Sequence, residues 1–124
     1  MDAGTYNPVI SPRGSWRRTF TFNADPPIDF TGCEARSEIR DAKEGATLFA
    51  SVSETPSPDG YIVIPSEETN QLHIYFSPLA TGRMKDAKRA YWDLFVEYPN
   101  GEDVPKVMEG KVTIKHSVTE PSHD

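Results

Sequence analysis

Cys33, the histidines His73, His116 and His123, and Asp93 are the residue types from which a nucleophilic or metal centre would be built. A cysteine nucleophile needs a base to hold its thiolate and a carboxylate to orient that base. Cys33 would therefore require His73 or His116 beside it and Asp93 behind. Alternation argues against this. In "CEARSEIR", Cys33, Ala35, Ser37 and Ile39 fall on one face and Glu34, Arg36, Glu38 and Arg40 on the other, while His73 lies between Leu72 and Ile74 and faces outward. Cys33 reads as a small buried hydrophobe. The three histidines have no metal-ligand spacing, and the acids of "SEETN" and "NGED" are loop residues beside turn formers. No glycine-rich phosphate loop or G-x-S-x-G elbow occurs. The expectation is a protein that is not an enzyme, with no catalytic residues, cofactor or metal.

Binding residues are easier to nominate. Arg83, Lys85, Lys88 and Arg89 stand against a single acid, Asp86, in an acidic chain. The cluster reads either as a solvated connection or as a docking patch for an acidic neighbouring subunit, because charge complementarity sets register and rejects wrong partners. Tyr91 and Phe95 alternate with Trp92 and Leu94 and so lie on the outer face of their strand, covered by a second sheet or open to a partner. These six residues are the candidate partner-binding set. A different class of function, carbohydrate binding, would use Tyr61, Tyr75 or Tyr91 as a stacking platform, with Tyr75 and Tyr91 together if their strands are neighbours.

The elements that would carry these residues are strands. In "SWRRTFTF", Trp16, Phe20 and Phe22 share a face with Arg18, opposite Arg17, Thr19 and Thr21. Further period-two runs are "ATLFASV", "GYIVIP" with Ile62 and Ile64 inward, and "QLHIYFS" with Leu72, Ile74 and Phe76 inward. "AYWDLFVEY" puts Trp92, Leu94 and Val96 inward, and "VMEGKVTIKH" does so with Met108, Val112 and Ile114. Half-buried strands give this pattern. Asp25-Pro26-Pro27, Asp59-Gly60 and Asn100-Gly101 punctuate them as turns. Helix is confined to a turn or two at "SPLATGRMKDAKR", where Ser77 can cap and Pro78 can occupy the first helical position. The reading is an all-β, antiparallel β-sandwich of about seven strands. It is a single domain over residues 1–116 with an extended N-terminal segment, followed by a polar tail over 117–124.

Bulk properties narrow the partners. At 124 residues the chain suits one core, and its one cysteine excludes an intrachain disulfide. The formal net charge of -6 disfavours nucleic acid. No run approaches the roughly 20 apolar residues of a membrane span, and "MDAGTYNPVI" lacks the basic and apolar regions of a leader. The expectation is no membrane and no nucleic-acid partner.

Four segments in order, "MDAGTYN", "SWRRTFTF", "PPIDFTGCEARSEIR" and "YWDLFVEYPNGEDVPKVMEGKVTIKHSVTE", resemble small virion-associated proteins of tailed bacteriophages. The likeness covers most of the chain, with residues 41–90 matching only in strand-and-turn rhythm. The chain departs from the pattern at Phe30 in place of leucine, Cys33 in place of an aromatic residue and Glu38 in place of glutamine, and in a longer, more basic connection over 83–90. The resemblance implies an immunoglobulin-like or baseplate-upper-protein-like sandwich, made in the host cytoplasm and located in the virion. It further implies a structural role in the tail, baseplate or fibre-attachment region, or alternatively as a capsid decoration (cement) protein. The implied partners are other virion proteins, with the chain a homo-oligomer or present in many copies in a symmetric assembly. No active site or cofactor is carried over.

Overall fold

Alternation of apolar and polar residues extends through most of the residues described by the structure, a computed structural model covering 4–24, 28–42 and 47–116. The strands are β1 (Gly4–Thr5), β2 (Val9–Ile10), β3 (Trp16–Thr21), β4 (Glu34–Arg40), β5 (Leu48–Ser53), β6 (Gly60–Val63), β7 (Gln71–Phe76), β8 (Ala90–Glu97) and β9 (Lys106–Ile114). One helix, α1 (Pro78–Gly82), lies between β7 and β8. Its start is the one expected: the Ala80 N–H donates to Ser77 Oγ at 3.3 Å, and Pro78 occupies the first turn.

Two sheets result. The larger runs β1-β9-β8-β4-β5, with β2 also on β9, and the smaller runs β3-β7-β6. Lettering the strands from β3 onward as B, C, C′, D, E, F and G gives sheets B-E-D and C′-C-F-G, the connectivity of an immunoglobulin-like sandwich. The chain is thus an all-β sandwich. Two details differ from the expectation of about seven antiparallel strands. Nine strands form among the described residues, and the two extra ones, β1 and β2, run parallel to β9. They are only two residues long each, too short for a periodicity to register. The Asp25-Pro26-Pro27 turn and the 117–124 tail with His123 lie outside the described residues.

Antibody domains of this connectivity tie strands B and F together across the sheets with a disulfide. Here an aromatic stack spans the same two strands: Phe20 of β3 and Trp92 of β8 have centroids 5.5 Å apart and planes 21° apart. Tyr6 meets Phe20 edge-on at 5.2 Å, and Trp16 meets Phe76 at 5.8 Å. Cys33 is a free, buried thiol beside this core. Burial pushes its pKa up, helped by Asp29 and Glu54, which opposes nucleophilic activation. Ser37 is fully buried among apolar residues yet satisfied, since its Oγ donates to Asp93 O at 2.6 Å.

Cross-strand pairing fixes which loops share an end. Trp16, Gly60 and Phe76 are aligned, as are Arg40, Tyr91 and Lys111 in the other sheet. Arg83, just past α1, donates to Phe49 O at 2.9 Å and joins these two ends. At the opposite end Phe30 N donates to Thr69 O at 2.7 Å, linking the loops that precede β4 and β7. The basic connection 83–89 therefore lies at one end of the sandwich. The loops carrying Asp29, Glu67, Glu68, Glu102 and Asp103 lie at the other.

Candidate functional site

The outer face of the larger sheet is built by three adjacent strands in continuous register. Arg40 of β4 pairs with Tyr91 of β8, which pairs with Lys111 of β9. The next aligned set on this face is Glu38, Asp93 and Glu109, followed by Arg36, Phe95 and Lys106 and then by Glu34 and Glu97. Residues directly opposite across strands share a face. The face is therefore banded at right angles to the strands: cations flanking an aromatic ring, then carboxylates, then cations flanking a ring, then carboxylates. Next to β4, β5 contributes Ser51 opposite Glu38, Ser53 opposite Arg36 and, past a register shift, the exposed Leu48 opposite Arg40.

Neighbouring bands neutralise each other within the sheet. Arg40 pairs with Glu38 at 3.0 Å and Lys106 with Glu109 at 3.4 Å. In the third band Arg36 and Lys106 lie over the Phe95 ring, 5.6 and 5.7 Å from its centroid. A groove of about 590 Å³ opens over the first two bands, with Thr5 and Asn7 on its rim, and a second of about 190 Å³ opens beside Phe95.

Asp93 occupies the middle of the acidic band. Partial burial pushes its pKa up; Lys106 and Arg40 pull it down, while Glu38 and Glu109 push it further up. A carboxyl whose folded pKa is raised holds its proton more tightly when folded, so its ionisation costs stability at neutral pH and that cost disappears on acidification. Asp93→Asn is expected to raise the melting temperature at neutral pH. The gain should shrink as pH falls into the carboxylate range, where Asp93 itself becomes protonated. Thermal melts of both proteins across that range check the sign; a gain independent of pH would assign the effect to something other than charge.

The six candidate partner-binding residues divide between two places. Tyr91 and Phe95 lie on the outer face as expected, half-buried, in the first and third bands. Lys85, Lys88 and Arg89 are exposed in the connection leading into β8. Arg83 is engaged within the molecule, bonding Asp59 at 2.8 Å as well as Phe49 O. The suggested platform of Tyr75 with Tyr91 does not form, because β7 and β8 belong to different sheets. Tyr75 instead pairs with Tyr61 at a centroid distance of 5.0 Å, with Arg17 4.4 Å over the Tyr75 ring.

His73 faces outward beside Gln71, at 3.2 Å. Among the described residues no three His, Cys, Asp or Glu side chains converge in a metal-holding arrangement, and no helix is long and apolar enough to cross a membrane. Lys106, Glu109 and Lys111 complete the bands, and sequence reasoning does not single them out. The register shift at Leu94/Phe95 leaves Val107 without a partner on β8 and buried, so the phase of β9 changes between Lys106 and Met108. The alternation of "EARSEIR" and the outward side of Tyr91 and Phe95 are the legible signs of the face. No protein-family model matches this sequence, and no curated protein matches it.

Proposed function

We propose that this protein is a non-enzymatic structural component of a tailed-bacteriophage virion that binds other virion subunits in the tail, baseplate or fibre-attachment region. One observation carries the reading. The segments whose wording resembles phage virion proteins supply β1, β3, β4, β8 and β9; four of these five, β1, β9, β8 and β4, are consecutive in the larger sheet, and β3 is an edge strand of the smaller one. The resemblance thus covers four neighbouring strands of the sheet that presents the banded face, together with one strand packed across from it. Broad sheet faces repeated by symmetry gain avidity from many weak contacts.

Quantitative mass spectrometry of purified particles tests this. Copy numbers in multiples of three or six are expected for a tail or baseplate position, hundreds for the alternative of a capsid decoration protein, and absence from particles refutes both. A second reading, carbohydrate binding, is favoured by one feature, the adjacent rings of Tyr61 and Tyr75 on the outer face of the smaller sheet. It expects a glycan-array signal that Tyr75→Ala abolishes; an array with no signal removes it.

A further inference from the structure

The order of charge on the banded face has a symmetry property. Read along the strands, the four bands run positive, negative, positive, negative. A series of four alternating signs is the complement of its own reversal. Two copies laid face to face with strands antiparallel would oppose every band to one of opposite sign. With strands parallel, every band would meet its like.

We propose that this protein forms an isologous homodimer through the outer face of the larger sheet, about a twofold axis lying in the interface, at right angles to the strands, between the second and third bands. That axis places each strand on its own copy. Glu38 then faces Arg36 of the partner subunit, Glu109 faces Lys106 of the partner subunit, and Arg40 faces Glu34 of the partner subunit. Tyr91 and Phe95, the two rings on β8, then face Glu97 of the partner subunit and Asp93 of the partner subunit, and aromatic and arginine side chains are what such interfaces concentrate.

A second observation selects the same arrangement independently. The sandwich is polar end to end, with Lys85, Lys88 and Arg89 exposed at one end and Glu67, Glu102 and Asp103 exposed at the other. Antiparallel packing sets the basic end of each copy beside the acidic end of the other, and parallel packing would set like ends together. Twofold closed pairs are the commonest symmetric assembly. The inference deepens the assembly reading above and rests on it, by naming the self-contact and its geometry.

Charge reversal tests the pairing on the full chain. Wild-type protein is expected to sediment as a dimer at low salt and to dissociate as salt is added. Glu38→Lys with Glu109→Lys turns the second band positive and opposes it to a positive third band, so this variant should run as a monomer. Arg36→Glu with Lys106→Glu turns the third band negative and should do the same. Mixed in equal amounts, the two variants are complementary at all four bands and should recover the dimer mass as a heterodimer. Wild type that stays monomeric into the millimolar range at low salt overturns the proposal. So does a dimer that survives either reversal, or a mixture of folded variants that stays monomeric. If a variant fails to fold by circular dichroism, Tyr91→Cys in the wild-type background decides instead, because the antiparallel axis keeps the two copies of position 91 apart. Ready disulfide cross-linking between the two introduced thiols would then overturn the proposal, and salt-sensitive dimerisation without it would support it. Particle composition is measured separately, so a monomer still found in virions defeats the dimer alone.

Discussion

Trp92→Ala is expected to cost about 3–5 kcal/mol, in the range of large aromatic truncations in a core. Trp92 is only 3% exposed. Its ring stacks on Phe20 at 5.5 Å and meets Tyr6 and Trp16 edge-on at 6.3 and 6.5 Å, so it touches both sheets and the N-terminal segment together. Its Nε1–H donates to Tyr6 O at 2.7 Å. Alanine removes the stack that occupies the place of the B–F disulfide, opens a cavity between the sheets and orphans an acceptor. Domains of this size have about 5–15 kcal/mol in hand, so the loss should lower Tm by on the order of 10–20 °C. Chemical denaturation of Trp92→Ala beside Trp92→Phe measures it. Phenylalanine keeps a ring and loses the N–H, and it should recover more than half of the deficit. A mild effect of alanine would mean that the sheets are held elsewhere.

Gly110→Ala is expected to release the N-terminal segment from the sheet. A Cβ at this position would lie 1.8 Å from Tyr6 O and 2.7 Å from Tyr6 C, both backbone atoms that cannot swing aside. What leaves with the segment is a defined set of bonds. Tyr6 N donates to Glu109 O at 3.0 Å and Thr113 N to Pro8 O at 2.9 Å. Lys111 N donates to Asn7 Oδ1 at 2.9 Å, and Trp92 Nε1 to Tyr6 O. The Tyr6 ring also lies under the Arg18 guanidinium, 4.9 Å away. Overpacking and a buried, unpaired Trp92 N–H together cost about 2–4 kcal/mol. Hydrogen exchange separates this from general unfolding. Amides around residues 4–10 and their partners on β9 should lose protection while the β4–β8 ladder keeps it. Retained protection of the segment in the variant would show that the strand can accommodate the methyl group.

The two substitutions also mark how far the amino-acid order can be read. Trp92, Phe20 and Ile39 announce their inward direction through alternation, because a residue's side within a strand depends only on its position in that strand. The same local logic makes the Ser77-Pro78 start of α1 and the burial of Cys33 legible. Gly110 gives no such sign. Its importance comes from a backbone about a hundred positions away, and the two-residue strands that it admits are too brief to show a period. Val107 hides the phase of β9 for a related reason, since a bulge inserts one residue and reverses the alternation beyond it.

Local order in the chain thus settles the sheet class, the inward and outward sides of β3, β4, β7 and β8, and the confinement of helix to a short piece after Ser77. It does not tell which strands are neighbours, and that is why a Tyr75–Tyr91 platform stands only on the condition that their strands adjoin, whereas the cross-strand partner of Tyr75 is Tyr61. The charge bands are the clearest case. "EARSEIR" shows alternating charge along one strand, but whether Glu38 meets like or unlike neighbours depends on Asp93 and Glu109, 55 and 71 positions further along. Side-chain direction is a property of the local backbone. Register is a property of pairing between distant segments, and it comes into being when the inward faces close over a shared core.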